Sequence, residues 1–204
     1  MKETIMENIT YILGNKLYIN LTNKCPCNCT FCIRNNGDGA YGSDSLWLDH
    51  DPSEDEAINA LKAHDLDSFE EIIYCGYGEP TEALEVLLAT GKYIKSVSST
   101  PVRINTNGLS DLINKKPTAH LFKGAIDIMS ISLNAPTEAE YNAVTRPSFD
   151  NAFQAMQDFA VECKKHLPEV LMTVVDVIPK EQIELSKELT KKLGVTLRIR
   201  EYAD

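Results

Sequence analysis

The chain predicts an α/β fold, an open partial barrel of six strand–helix units entered through a short N-terminal hairpin. Apolar, β-branched-rich runs of strand length alternate with stretches of helical pattern. Strands alternating with helices imply a parallel sheet with helices outside it. The chain has 204 residues, fewer than the about 250 typical of a closed eight-unit barrel. Six units therefore predict a partial (β/α)6 barrel, with residues 1–204 forming a single domain.

The hairpin is read from Thr10–Leu13 and Lys16–Asn20 around Gly14-Asn15, a turn pair between strand-like runs. Its second arm leads into a cysteine-rich loop over 24–40. Further strands are expected at 71–75 (EIIYC), 102–106 (VRINT), 126–134 (IDIMSISLN), 171–178 (LMTVVDVI) and 197–202 (LRIREY). A helix over Ser53–Ala63 opens on serine and acids, as an N-terminus should. A second, Thr81–Lys95, follows a proline. Residues 137–166 read as helix with a break at Arg146-Pro147. Lys180–Leu193 follows Pro179 and stops at Gly194, a favourable C-cap.

Composition narrows the function. Apolar residues make up 43% and charged residues 25%, ordinary for a soluble globular protein. No apolar run is long enough for a membrane span. The opening MKETIMENIT has no apolar core, so no signal peptide and a cytoplasmic location are expected. Six cysteines in that compartment read as metal ligands rather than disulfides. Net charge is −10, and thirteen acids face one lysine between Asp44 and Glu85. General nucleic-acid binding, which needs a basic face, is thereby disfavoured. There is no GxSxG or P-loop, and His50, His64, His120 and His166 are scattered, so hydrolase and triphosphatase chemistry finds no support.

Cys25, Cys29 and Cys32 sit as C-x3-C-x2-C within CPCNCTFC. One short loop thus supplies three thiolates. A [4Fe–4S] cluster takes four ligands, usually all cysteine. Three leave one iron open, and an open coordination position is where a substrate binds. Cys27 is extra: it is either a fourth ligand that closes the cluster or a bystander. A closed cluster for electron transfer, or a zinc ion, is the non-enzymatic alternative. Cys75 and Cys163 read as packed thiols, and two cysteines cannot build a second cluster.

Candidate binding groups gather at strand ends, where active sites of parallel α/β sheets collect. YCGYGEPT (74–81) ends the second strand of the parallel set. Gly76 and Gly78 permit close backbone approach, and Glu79 puts a carboxylate there. In 102–108, Arg103, Asn105 and Asn107 share one face by strand alternation, and Val102, Ile104 and Thr106 the other. In 128–134, Ser130, Ser132 and Asn134 form a polar row that needs hydrogen-bond partners. Arg146 could reach an anion. Arg198 and Arg200 share a face of the last strand, either inward toward an anionic ligand or outward to solvent.

The C-x3-C-x2-C run, the GYGEP turn and the SLNA segment resemble the radical S-adenosylmethionine (SAM) family, over nearly the whole chain. LYINLTNKCPCNCTFCIRNNGDG, GYGEPT and SLNAPT are similar to the small TatD-associated members in particular. The resemblance implies a (β/α)6 radical SAM core, with Cys25, Cys29 and Cys32 ligating a [4Fe–4S] cluster. It implies a SAM molecule chelated by the open iron and cleaved to methionine and a 5′-deoxyadenosyl radical. Phe31 would then pack by adenine. Gly76, Tyr77, Gly78 and Glu79 would meet the methionine amino group. Asn105 and Asn107 would line the methionyl–ribose region, Ser132 and Asn134 the ribose, and Val177 and Ile178 the adenine. Tyr77 stands where the common motif has glycine, and Asn134 where it has an acid. A flavodoxin or ferredoxin reductant and a functional link to a TatD-type hydrolase are also implied. The substrate is not.

Overall fold

The computed structural model describes residues 8–35 and 45–201. Among the described residues, seven strands form one sheet in sequence order. They are β1 Thr10–Leu13, β2 Lys16–Ile19, β3 Glu71–Tyr74, β4 Val102–Thr106, β5 Ile128–Ser132, β6 Glu169–Val175 and β7 Thr196–Arg200. β1 pairs antiparallel with β2, and every later pairing is parallel. Between strands lie α1 Glu54–Lys62, α2 Leu84–Val97, α3 Ser110–Asn114, α4 Glu138–Thr145, α5 Ala152–Cys163 and α6 Lys180–Leu193.

From β2 to β7 each crossover steps to the next strand in one direction. Parallel crossovers are right-handed, so the helices all fall on one face of the sheet. That face is apolar: Leu17, Ile72, Tyr74, Val102, Ile104, Met129, Ile131, Met172 and Val174 are buried there. Each Leu or Ile buried this way contributes about 1.5–3 kcal/mol. The registers put Tyr18, Arg103, Asn105, Ser130, Ser132, Thr173, Arg198 and Arg200 on the opposite face. No described helix crosses that side, yet Ile73, Ser130 and Thr173 are buried on it.

Local chemistry sets the ends of the helices. Ser53 Oγ accepts from the Glu56 N–H, and Glu56 Oε2 accepts from the Ser53 N–H at 2.9 Å, a capping box for α1. Thr137 caps α4 with its side chain alone, Oγ1 accepting from the Glu140 N–H at 3.4 Å. α6 stops at Gly194, which adopts φ of 66°.

Several boundaries depart from expectation. Thr81–Lys95 is not one helix: Pro80–Ala83 is a 3₁₀ turn, and α2 begins at Leu84. The Glu79 carboxylate captures the Thr81 N–H, and Ala83 takes a non-helical φ of −107°, which separates the two. The strand expected over 171–178 ends at Val175, so Val177 and Ile178 lie in the turn beyond it. β5 ends at Ser132, and Asn134 takes φ of 62°, so strand alternation does not govern where it points. The strand expected over 197–202 ends at Arg200, with Glu201 outside it; α3, for which the sequence marked no bounds, fills the unit between β4 and β5 directly after the Asn107-Gly108 turn. Of the expected cysteine loop, 36–40 lie outside the described residues, as does Tyr202. No described helix is long and apolar enough to cross a membrane.

Candidate functional site

The turn after β3 is pressed against the loop after β2. A Cβ added at Gly78 would lie 2.2 Å from the Thr22 carbonyl oxygen and 2.7 Å from that of Lys24. At Gly76 it would lie 2.0 Å from Asn20 Oδ1. Only glycine allows backbone to approach this closely. The contact is secured by the Glu79 N–H, which donates to the Lys24 carbonyl at 2.8 Å.

The Glu79 side chain turns inward and is 4% exposed. Oε1 accepts from Thr106 Oγ1 at 2.6 Å, Thr81 Oγ1 at 2.9 Å and the Thr81 N–H at 3.2 Å. Oε2 accepts from the Asn107 N–H at 2.7 Å. Burial pushes its pKa up, and the four donors pull against that shift. The carboxylate is thus engaged by the protein itself, and the turn offers mainly its backbone to a ligand.

The cysteine loop is held from its other side by the C-terminal end of α4 and the residues that follow it. The Asn28 N–H donates to the Thr145 carbonyl at 3.0 Å, Thr30 N–H to Val144 at 2.9 Å, and Ser148 N–H to Pro26 at 2.9 Å. Cys27 and Pro147 form an isolated bridge. Arg146 makes this possible by taking φ of 47° as the C-cap of α4. Cys25, Cys29 and Cys32 are partly exposed, whereas Cys27 is buried. The Cys27 thiol donates toward Cys25 and Cys29, which holds both below the ordinary cysteine range and pushes Cys27 itself up. Asn107 Nδ2 approaches Cys27 Sγ at 3.8 Å. Arg34 donates to the Asn23 carbonyl at 3.2 Å.

The structure therefore brings together Cys25, Cys29, Glu79 and Asn107, linked through Lys24 and Cys27. Asn105 lies on the polar face, where burial pushes the Cys75 thiol up and the Asn105 side chain pulls against that shift. Ser132 ends β5 on that face, opposite Thr173. Asn134 is buried, and its N–H donates to the Thr173 carbonyl at 3.2 Å. The Tyr77 ring packs away from the glycines, edge-on to Trp47 at 4.9 Å and against Leu46. Phe31 and Val177 are 41% and 60% exposed, and Ile178 packs on the core. No hydrogen bond among the described residues links Val177 or Ile178 to the cysteine loop.

Sequence reasoning missed Thr81, Thr106 and Asn20. Thr106 ends the otherwise apolar row of Val102 and Ile104, and that polar exception was the available signal. Asn20 donates to the Asn8 and Leu46 carbonyls, and its buried Oδ1 faces Gly76 without a hydrogen-bond partner.

Among the described residues, no three His, Cys, Asp or Glu side chains converge as ligands of a single ion. A cubane cluster makes a different demand: each thiolate holds its own iron, so the sulfurs spread around the cluster. Three thiols on one loop, two of them biased toward thiolate, fit that donor chemistry.

Fold and site together define an α/β protein with a parallel sheet and a cysteine loop at a strand end. The profile of the radical SAM superfamily matches residues 19–191, and the chain belongs to that superfamily. Membership implies the general chemistry of that superfamily, the cleavage of SAM to a 5′-deoxyadenosyl radical. None of the curated proteins matches the chain.

Proposed function

We propose that the chain is a single-domain radical SAM enzyme built on a partial (β/α)6 barrel. Cys25, Cys29 and Cys32 would hold a [4Fe–4S] cluster, leaving one iron for the amine and carboxylate of SAM. When bound, the cluster supplies the electron that cleaves SAM into methionine and a 5′-deoxyadenosyl radical, which takes hydrogen from a substrate. The observation that carries this reading is the lock between the two strand-end loops. Gly78 and Glu79 dock on Thr22–Lys24, immediately before Cys25, so backbone of the GYGEP turn lies beside the cysteine loop.

The chain's own part is to bind, orient and exclude water. Backbone at Gly76, Tyr77 and Gly78 would receive the methionine amino group. Glu79 would brace that turn from inside. Asn105, Asn107, Ser132 and Asn134 would bind the polar middle of SAM, and Phe31, Val177 and Ile178 the adenine. Cys27 would remain a bystander. A flavodoxin or ferredoxin would be the reductant. The likeness to TatD-associated proteins extends the proposal to a functional link with a TatD-type hydrolase.

Anaerobic reconstitution, reduction with dithionite and addition of SAM test the reading. Four irons per chain together with 5′-deoxyadenosine are expected. Neither cluster nor cleavage in the wild-type chain would sink it.

A further inference from the structure

The polar face of the sheet carries a charge opposite to that of the chain. Its strand residues include four cationic side chains, Lys16, Arg103, Arg198 and Arg200, against two carboxylates, Glu71 and Glu169. The chain as a whole has a net charge of −10. Such a local reversal inside a concave surface focuses an attractive potential on anions.

Arg103 is only 8% exposed. It shares Glu71 Oε2 with Lys16, at 3.1 Å and 3.4 Å, so one carboxylate serves two cations. Its Nε is buried without a hydrogen-bond partner, a donor left spare where burial makes an unmet group costly. Arg198 and Arg200 face the same side, because Thr173 and Val175 are their register partners while Leu197 packs on the core. Among the described residues neither arginine forms an ion pair.

Ile73, Ser130 and Thr173 are buried on this face although no described helix lies over it, which points to a concave surface, a cup closed by the twist of the sheet. Arg103 lies deep in its wall, level with Ile128 and Glu169, and the accessible Arg198 and Arg200 stand farther along the strands, opposite Thr173 and Val175. In keeping with that shape, burial pushes the Cys75 thiol up while Arg200 and Arg103 both pull it down.

We propose that this cup binds a small-molecule substrate through an oxyanion, carboxylate or phosphate, held by Arg103, Arg198 and Arg200. Guanidinium groups suit this task because their fork matches both oxyanions. The inference rests on the radical SAM reading for what happens to that substrate, but its test does not need turnover.

Anaerobic calorimetry on the reconstituted full chain, without reductant or SAM, titrates inorganic phosphate and, separately, malonate. Saturable binding of at least one is expected, and the tighter of the two identifies the substrate's group. The Arg198→Gln/Arg200→Gln double variant, altered only at exposed positions, should weaken it tenfold or more. A charge-matched control, Lys191→Gln/Lys192→Gln on α6, should stay within twofold of wild type. Binding of neither anion, a smaller loss in the arginine variant, or an equal loss in the lysine control would overturn the proposal. Displacement of the anion by methionine would also overturn it, by reassigning the site to SAM's own carboxylate. SAM cleavage by the wild-type chain is scored separately, so either reading can fail while the other stands.

Discussion

The backbone N–H of Asn107 donates to the buried Glu79 carboxylate at 2.7 Å, fastening the end of β4 to the turn that follows β3. With Thr81 and Thr106, Asn107 makes Glu79 an internal brace rather than a free acid. The shape of the strand-end loops depends on a charge that a ligand need not touch.

Glu79→Gln tests the brace. Its amide oxygen can keep the three donors on one side, but its NH2 then faces the Asn107 N–H, donor against donor. A loss of about 1–3 kcal/mol is expected, read as a lower denaturation midpoint by circular dichroism. Thr106→Val, which keeps shape and removes one donor, should lose stability in the same range. Wild-type stability in both variants would show that the network does not support the fold.

Gly78→Ala tests the close approach. The new Cβ would meet two backbone carbonyls at 2.2 Å and 2.7 Å, and neither can swing aside as a side chain would. Overpacking of this kind costs about 1–3 kcal/mol. Because the displaced backbone leads into Cys25, iron bound after reconstitution should fall as well. An alanine variant with full iron content would separate the turn from the cysteine loop.

Cys27→Ala distinguishes a ligand from a neighbour. Loss of a small buried thiol should cost about 1 kcal/mol of stability, while four irons per chain and SAM cleavage are retained. Cys25→Ala, Cys29→Ala and Cys32→Ala should each lose the cluster. Loss of iron in the Cys27 variant would instead make the cluster closed, with no iron left for SAM.

The capping box of α1 makes a pH prediction. The Ser53 N–H and hydroxyl, then His50, hold the Glu56 carboxyl down at about 2, against an ordinary 4.5. A depressed folded pKa stabilises above the unfolded value and is lost as pH falls through the folded one. The thermal midpoint of wild type relative to Glu56→Gln should be highest above about pH 4.5 and converge toward pH 2. A difference that is flat with pH would count against the box.

What could be read from sequence was what repeats or acts locally. Alternation separated the apolar row of Val102 and Ile104 from the polar row of Arg103 and Asn105. Pro179 and Gly194 marked α6. Partners distant in sequence were illegible, because nothing in CPCNC announces that Val144–Ser148 will run beside it. Thr106 sits on the helix-facing side by period, and only the three-dimensional turn shows that its hydroxyl meets Glu79. Asn134 escaped alternation because its positive φ begins where the strand has ended. The direction of Arg198 and Arg200 needed the register with β6.

The backbone bonds between the cysteine loop and the end of α4 also bear on the order in which the site is built. Thr30 and its partner Val144 are 114 residues apart, so the thiols leave the ribosome long before the segment that shapes their loop. Chains fold as they lengthen, from the N-terminal side. A loop whose shape depends on Val144–Ser148 is complete only once that segment is in place, so a cluster held by Cys25, Cys29 and Cys32 would be loaded after most of the chain has been made.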